Sequence, residues 1–456
     1  MTLSRAIVRA WMAQSGAPVP ERAEMSARLH LLDAVGVGLV AAALDQGLPY
    51  RRFNSGTTGA VTALTGACMD DAAEAALING GLIHSLEFDD THTASIVHGS
   101  AVLAATVLAV AEATHASLAA AICAYLFAYE VMIRMGLAAP GAFQRQGFQI
   151  TSVAGTLAAA LIATDLMGAD EEARIHAVGI ALSQSSGVFE FLTNGSTVKS
   201  MHPGWAAHSG ILAARLALAS LTGPETAVEG TRGLYAIFAA DRDAPARLAL
   251  LMQDFGTRWH MPDVAFKFVP CCHYLHPFVE AAGDLAAQGV TAAAVDRLTL
   301  RIAAGAAGIV CEPWATKIAP VDGHSARWSL PVVVAARLVQ GRVDHATFAR
   351  RAPFDVLALA ARCRWEPLAN DRFPDAFEAE IICDLADGSR HTARVDDVYG
   401  NAARPATRDD ILAKFRANAG HVLAPADIAA LEALFLSSTG DVSTYAGILR
   451  RSFRKV

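Results

Sequence analysis

Three polar clusters in the sequence contain side chains that could transfer protons or bind anions. The first covers residues 84–100 (HSLEFDDTHTASIVHGS) and contains His84, Glu87, Asp90, Thr91 and His98. Ionisable groups are costly to bury unless they are paired, so a dense group of them in an apolar half of the chain indicates a polar site facing a cavity. Proton transfer is one interpretation; a metal site is another, because His84 and Glu87 could share one helical turn. A solvated loop between two helices is the alternative without chemistry.

The second cluster covers residues 187–210 and contains Lys199 and His202 in a segment rich in Gly, Ser and Thr that leads into a predicted helix. Backbone amides at a helix start attract anions, and a lysine adds a full positive charge. This cluster therefore predicts a carboxylate-binding role. The alternative is a surface lysine that happens to precede a helix.

The third cluster covers residues 266–277 (FKFVPCCHYLHP) and contains Lys267, His273 and His276. It lies at the predicted junction of two domains, where ligand sites are common. Either histidine alone is more often a satisfied core residue, but the cluster as a group indicates a site. A fourth segment (GFQITSVAGT) contains Gln149 and by itself predicts only a glycine-rich turn at a helix start.

The elements that must position these clusters are mostly helices. Apolar residues at helical spacing predict helices over 25–44, 101–116, 118–135, 153–167, 170–186 and 206–221, and again over 408–419 and 426–436. Between these two groups the pattern changes. Alternation predicts a strand over 295–303 and a hairpin of 377–385 with 389–395 around Asp387-Gly388, and helices are predicted over 330–339 and 345–351. We expect a mainly α fold: a large all-helical domain formed by both chain ends (1–265 and 401–456) and an inserted, smaller α+β lid domain (266–400).

Composition excludes several classes of protein. The 456 residues are 53% hydrophobic and 18% charged, with a net charge of −7, which excludes a largely disordered chain and argues against a nucleic-acid partner. The most membrane-like stretch is rich in alanine and includes Glu112 and Glu130, so buried helices are favoured over a membrane span. Seven scattered cysteines match no disulfide or zinc spacing. With no predicted signal peptide, we expect a cytoplasmic protein with free thiols.

Four ordered segments resemble the MmgE/PrpD family, which includes 2-methylcitrate dehydratase, cis-aconitate decarboxylase and iminodisuccinate epimerase. The segments are FDDTH at 88–92, KSMHPGWAAHSG at 199–210, EGTRGLY at 229–235 and FKFVPCCHYLHP at 266–277. The resemblance implies a helical domain with an α+β lid, usually dimeric, and an active site between them. It also implies catalysis without a metal or organic cofactor, so we predict no metal site.

The resemblance also implies roles for single residues. Asp90 and Thr91 match the family's acidic loop, and His98 matches the histidine that closes this loop. Lys199 matches the site lysine, and Lys267 with His273 matches a pair at the lid junction. Two departures stand out: Glu87 replaces an aspartate of decarboxylase-like members, and Gln149 replaces a histidine of many members. Because glutamine cannot exchange a proton, the role of that histidine is lost or moved here.

These residues permit proton transfer next to a carboxylate. We assign His98 and His273 to proton transfer, and Lys199 and Lys267 to carboxylate binding and charge stabilisation. Asp90 is predicted to be a catalytic residue that, together with Thr91, orients the substrate or a histidine. Glu87 and His202 are expected to bind the substrate. Gln149 is expected to donate a hydrogen bond to a substrate oxygen.

The predicted function is a cofactor-independent lyase, a dehydratase or decarboxylase, acting on a small di- or tricarboxylate. An epimerase or isomerase of a substituted succinate is the first alternative. The second is a catalytically inactive helical dimer that binds a carboxylate. We expect a homodimer with no nucleic-acid or membrane partner.

Overall fold

The structure, a computed structural model, describes residues 1–53, 58–437 and 440–453. The protein is mainly α-helical, as predicted. Its described helices are α1 Leu3–Ala13, α2 Glu21–Ala43, α3 Leu48–Phe53, α4 Ala72–His84, α5 Gly99–Thr114, α6 Leu118–Leu137, α7 Ala142–Arg145, α8 Ile150–Leu166, α9 Glu171–Leu182, α10 Phe191–Asn194, α11 Met201–Leu218, α12 Ala244–Leu251, α13 His276–Ala287, α14 Ala304–Val310, α15 Trp314–Ile318, α16 Gly323–Ala326, α17 Leu330–Gln340, α18 Phe354–Ala360, α19 Arg408–Ala419, α20 Pro425–Leu436 and α21 Val442–Phe453. Its described strands are β1 Val61–Thr62, β2 Cys68–Met69, β3 Val295–Ile302, β4 Cys363–Pro367, β5 Ala379–Leu385 and β6 Arg390–Val395.

Local signals place most of these elements correctly. The predicted helix that begins after Asp170 is α9, and the Asp170 Oδ1 accepts a hydrogen bond from the Ala173 amide at 2.9 Å. This is the arrangement of a helix N-cap, which satisfies one of the free amides of the first turn. The predicted strand at 295–303 is β3, and its alternating residues Leu298, Leu300 and Ile302 are buried.

The larger sheet has the strand order β4-β3-β5-β6. β5 and β6 form the predicted antiparallel hairpin, and Gly388 in its turn has a φ of +86°, a conformation that favours glycine. β4 pairs with β3 in parallel and was not predicted. A parallel partner is distant in sequence, and the partly exposed CRWEP segment of β4 lacks clear alternation.

Two predictions about local structure are wrong in part. The region predicted to be all-helical contains the short antiparallel pair β1–β2, whose chain reverses around Gly66 at a φ of +74°. The helix predicted over 345–351 is only the short 3₁₀ turn His345–Phe348, capped by Asp344. Pro353 follows closely, and a proline disfavours helical geometry in the residue before it.

Buried apolar side chains form two large clusters in the described part of the chain. The first draws on residues between 3 and 266 together with residues between 411 and 449. The second draws on residues between 271 and 398, including the larger sheet. The helical domain and inserted lid remain our proposal for domain organisation, and separate packing of the two clusters supports it.

Two described helices, α2 and α6, are long and apolar enough to cross a membrane by length and composition. In the folded chain, 89% of the apolar window of α2 and 83% of that of α6 are buried inside the protein.

Candidate active site

Small residues bring α4, α8 and α11 into close contact. A Cβ on Gly80 of α4 would lie 2.7 Å from the Cα of Gly204 in α11. A Cβ on Gly210 of α11 would lie 2.4 Å from a methyl group of α8. Larger side chains at these positions would push the helices apart, because protein interiors have no spare volume. The ends of these helices carry three polar residues, His84, Gln149 and His202.

A cavity lies beside these helix ends. Six of the predicted site residues line it: Glu87, Thr91, His98, Gln149, Lys199 and His273. Much of the remaining wall is aromatic or aliphatic, including Phe189, Phe191, Ile309, Trp328 and Phe377. Three predicted site residues, Asp90, Lys267 and His202, are not part of the lining. The clusters predicted from sequence therefore converge, although not every member reaches the cavity.

His98 is the side chain best placed to act as a base. Its Nδ1 lies 2.9 Å from the backbone carbonyl oxygen of Asp90 and 2.9 Å from the Oγ1 of Thr91. A carbonyl oxygen can only accept, so Nδ1 carries the hydrogen and donates it, and Nε2 keeps its lone pair. Burial, and then the charge of Lys267, lower the pKa of His98 to about 3. The ring is therefore neutral at pH 7 and offers a proton acceptor at the cavity.

Asp90 acts on His98 through its backbone, and its carboxylate points elsewhere. The carboxylate accepts a hydrogen bond from the Ser100 amide at 3.2 Å, at the start of α5, and lies 2.8 Å from the Nδ1 of His30. A negative charge at a helix N-terminus is stabilised by the helix dipole. The prediction that Asp90 and Thr91 orient a histidine fits this geometry. Direct catalysis by the Asp90 carboxylate does not, because the group lies behind the wall.

A line of hydrogen bonds joins the ends of the three helices. The Nδ1 of His84 lies 2.8 Å from the Asp89 Oδ2, and the Nε2 of His84 lies 3.0 Å from the Gln149 Nε2. The Gln149 Oε1 in turn lies 2.8 Å from the Nδ1 of His202. Burial favours the neutral form of Asp89, but the interaction with His84 outweighs it and lowers the pKa of this carboxyl.

This line has one consistent direction of donation. His202 donates to the Gln149 oxygen, the Gln149 amide donates to His84, and His84 donates to the Asp89 carboxylate. Burial, and then His84, lower the pKa of His202 to about 4, so its ring is neutral at pH 7. Gln149 uses one amide hydrogen on His84 and has a second; that it donates to a substrate oxygen stays a prediction. His202 donates a hydrogen bond to Gln149 and does not line the cavity. The predicted contact of His202 with the substrate is therefore not supported by this position.

Glu87 and Lys199 form a buried ion pair at the cavity wall. The side chains are 3% and 9% exposed, and the lysine Nζ lies 5.1 Å from the centre of the Trp328 ring. Burial raises the pKa of Glu87, but Lys199, His84 and then Lys267 lower it to about 2, so the carboxyl is ionised at pH 7. Lys199 is therefore already matched by a negative charge. This corrects the expectation of an open anion site at the lysine.

Lys267 is fully buried behind this pair. Its Nζ donates to the backbone carbonyl of Glu87 at 3.3 Å and does not line the cavity. Its charge acts on the cavity from a distance, and its hydrogen bond stabilises the loop that carries Glu87, which has a φ of +53°. The predicted role of Lys267 as a direct carboxylate ligand is not supported by this position.

His273 lies on the opposite, more apolar wall. Neither ring nitrogen meets hydrogen-bond geometry with any described residue. The ring packs edge-on against Phe377, with ring centroids 5.1 Å apart, and against His276 at 4.7 Å. Burial, and then His276, lower the pKa of His273 well below its ordinary value, while the Asn401 side chain raises it. His273 is a second neutral imidazole, held mainly by packing.

Three contributors to the site were missed as functional residues. His84 and Asp89 belong to the first polar cluster, where His84 was considered only as a metal ligand. The ring centroids of His84 and His98 lie 5.2 Å apart, so the Asp89–His84 pair lies beside the base. Trp328 carries no local signal at all. Among the described residues, no group of three or more His, Cys, Asp or Glu side chains is arranged to hold a metal ion.

Comparisons with known proteins agree over most of the chain. Residues 7–246 match the model of the MmgE/PrpD N-terminal domain, and residues 269–437 match that of the MmgE/PrpD C-terminal domain. The chain is 29% identical over 368 residues to the cis-aconitate decarboxylase of Homo sapiens, covering 76% of this chain and 73% of that protein. It is 28% identical over 416 residues to the enzyme of the same name from Mus musculus, covering 86% and 82%. It is 24% identical over 385 residues to the one from Aspergillus terreus, covering 79% and 77%.

Proposed function

The chain belongs to the MmgE/PrpD family, and from this premise we propose that it is a lyase acting on a small di- or tricarboxylate by proton transfer next to a carboxylate. The similar proteins named cis-aconitate decarboxylase support an enzyme of this class. The observation that carries the proposal is the fixed tautomer of His98, which leaves an unprotonated Nε2 on a ring at the cavity wall.

In the proposed reaction, the His98 Nε2 takes a proton from a carbon next to a carboxylate. The electron pair of the broken C–H bond moves into that carboxylate and forms an enediolate. Lys199 stabilises the added negative charge, and Gln149 donates a hydrogen bond to a substrate oxygen. In a dehydration, the pair then expels a β-hydroxyl group, which leaves as water after it receives a proton. His273 supplies that proton when a bound anion raises its pKa.

Decarboxylation would take place in the same cavity, but its steps follow a different order. The bond between carbon and a carboxylate breaks, its electron pair stays on the carbon skeleton, and neutral CO₂ leaves. His98, which takes up a proton from water when the bound carboxylates raise its pKa, donates that proton to the carbon. A carboxylate that faces aromatic side chains such as Phe189 and Phe377 is poorly solvated, and loss of its charge as CO₂ relieves that cost. Because Gln149 cannot exchange protons, both routes place proton transfer on His98 and His273.

Proton NMR of the purified, metal-stripped protein in D₂O tests the proposal. The panel contains citrate, 2-methylcitrate, cis-aconitate and amino-substituted succinates. We expect loss of water or of CO₂ from at least one compound, and no reaction with the His98→Gln variant under the same conditions. Full turnover by that variant would contradict the proposed role of His98.

An epimerase is the second candidate. Epimerisation needs two groups on opposite faces of one carbon, and His98 and His273 reach the same cavity from separate chain segments. Deuterium exchange at one carbon without a new chemical product would favour this function over a lyase. Binding of a tricarboxylate with neither exchange nor turnover would favour an inactive binding protein.

A homodimer is retained as part of the proposal. Phe53, Val198, Met201 and Trp205 are exposed apolar residues that line one surface groove, which a second copy would cover. Light scattering coupled to size-exclusion chromatography tests this directly. A monomer at micromolar concentration would contradict it.

A further inference from the structure

The cavity wall has little positive charge that is not already paired with a carboxylate. Lys199 is the one Lys or Arg among the described lining residues, and Glu87 neutralises it. Behind the wall, the charges of Lys267 and Arg327 act on Glu87, and the charge of Lys267 also acts on Asp89. His84 adds no charge when its Nε2 accepts from the Gln149 amide, so these three cations and two carboxylates leave a surplus of one positive charge. A substrate with three carboxylates would bring far more negative charge than the site compensates.

The two cations behind the wall are already engaged with the backbone. Lys267 donates to the carbonyl oxygen of Glu87 at 3.3 Å. Arg327 is fully buried, and its Nη1 donates to the carbonyl oxygens of Leu86 and Pro270, both at 2.6 Å. The Nε and Nη2 of Arg327 have no hydrogen-bond partner among the described residues, but neither cation lines the cavity, so direct ligation of a substrate carboxylate would require the wall to rearrange. Their charge therefore assists the site from a distance, where it is weaker.

The next buried group of charges adds no positive surplus. Lys414 donates to the Oδ2 of Asp33 at 2.8 Å and to the carbonyl oxygen of Phe88 at 3.0 Å. The Asp90 carboxylate lies close enough to act on the charge of Lys414. One cation thus faces two carboxylates in this layer, which disfavours a polyanion in the cavity.

The remaining wall favours apolar groups. Phe189, Phe191, Trp328 and Phe377 face the cavity, and each buried methylene of a ligand contributes about a fourfold gain in affinity. A further carboxylate placed against these rings would lose its hydration without gaining a partner.

We propose that the preferred substrate carries no more than two carboxylates together with an apolar substituent that packs on the aromatic wall, and that Glu87 sets this preference. Glu87 takes the place on Lys199 that an additional substrate carboxylate would occupy. This inference rests on the proposed function for the identity of the site, and it concerns which carboxylates the site selects.

Binding measurements separate this inference from catalysis. Isothermal titration calorimetry is carried out with three compounds that lack a hydroxyl leaving group and a carbon–carbon double bond: succinate, 2-butylsuccinate and propane-1,2,3-tricarboxylate. With the wild-type protein we expect 2-butylsuccinate to bind at least about tenfold more tightly than either of the others. Equal or tighter binding of the tricarboxylate would overturn the inference.

Variants at Glu87 test whether this residue sets the preference between two and three carboxylates. Glu87→Gln frees Lys199, so we expect the tricarboxylate to bind about tenfold more tightly while 2-butylsuccinate changes less. Glu87→Asp keeps the negative charge and should retain the wild-type order of affinities. Glu172→Gln is the matched control, because it removes one carboxylate with a 60% exposed side chain on the surface. An unchanged affinity ratio in a folded Glu87→Gln protein would contradict the role of Glu87.

Circular dichroism and thermal unfolding check that each variant is folded. If Glu87→Gln does not fold, the wild-type affinity order and Glu87→Asp still decide the proposal. The expected order without turnover, either of any compound in the NMR panel or of 3-butylmalate, a dicarboxylate with a β-hydroxyl group and an apolar substituent, would support the charge argument and contradict the lyase. The reverse order with turnover would overturn the charge argument alone.

Discussion

The two walls of the cavity hold their histidines in opposite ways. On the first wall, both ring nitrogens of His84 have partners, and the Nδ1 of His98 is held by a carbonyl oxygen and a hydroxyl group. On the second wall, neither nitrogen of His273 meets hydrogen-bond geometry with a described residue, and the ring is held by aromatic packing. Hydrogen bonds fix a tautomer and an orientation, whereas packing fixes only a position.

This difference indicates which wall holds a proton-transfer group in a defined state before the substrate binds. A base must have a defined tautomer before the substrate arrives, and His98 has one. Among the described residues, His273 has no partner within hydrogen-bond geometry and only the Asn401 side chain acts on its pKa as a hydrogen-bond acceptor, so its tautomer is less firmly fixed. Loss of a side chain from the first wall leaves a partner unsatisfied, but loss from the second wall does not. The predictions below test this contrast in order of decreasing effect.

His98→Gln should give the largest loss of activity. Removing the proposed base lowers the rate by about 10²–10⁴-fold, because a positioned proton-transfer group typically contributes that much. The rate is measured by NMR with the substrate that the panel identifies. His421→Gln, at an exposed position, is the matched control and should be fully active. Near-normal turnover in His98→Gln would show that another residue acts as the base.

Lys199→Met should damage both activity and stability. It leaves the buried Glu87 carboxylate without its partner, and breaking a buried ion pair in this way costs about 3–5 kcal/mol. The double variant Lys199→Met/Glu87→Gln should recover most of that free energy of unfolding and none of the activity. Urea unfolding of the single and double variants measures the coupling. Additive effects of the two substitutions would contradict a direct pair.

His84→Gln and His273→Gln compare the two walls directly. His84→Gln leaves the Asp89 carboxylate short of a donor and should destabilise the protein by about 1–3 kcal/mol. His273→Gln loses no hydrogen bond and should change the free energy of unfolding by less than about 1 kcal/mol. It should still lower turnover about 10²-fold if the ring transfers a proton. Equal destabilisation by both substitutions would remove the distinction between the walls.

The last prediction concerns the pH dependence of stability, where each ring contributes less than the Glu87–Lys199 pair. Burial, as the largest cause, lowers the pKa of His92 and of His276 to about 3. The unfolded chain takes up these protons near pH 6.5, but the folded protein does not until about pH 3. Stability is therefore full above about pH 6.5 and falls as the pH decreases, by about 2 kcal/mol for each ring at pH 5.

Urea unfolding at pH 7, 6 and 5 measures this slope. The His276→Gln variant should show a shallower decline than the wild-type protein, because one buried neutral ring is gone. Stability that is independent of pH over this interval would show that these rings are not held in the neutral form.

Local sequence patterns determined the family, most helices and the hairpin. Helical spacing of apolar residues, the Asp170 cap and the Asp387-Gly388 turn act over a few residues, so they can be read without knowledge of the fold. The same holds for the polar clusters, because ionisable groups in apolar surroundings are expensive wherever they lie. Six of the nine predicted site residues therefore line one cavity.

Only the tertiary structure decided which charges meet. Glu87 and Lys199 are 112 residues apart in the chain, and their pairing depends on the close contact of α4, α8 and α11. The same packing makes Gln149 the link between two histidines and keeps Lys267 and His202 behind the wall. These outcomes depend on distances of a few ångströms between segments far apart in sequence. Coulomb interactions and hydrogen bonds depend steeply on such distances, and residue types and spacing do not specify them.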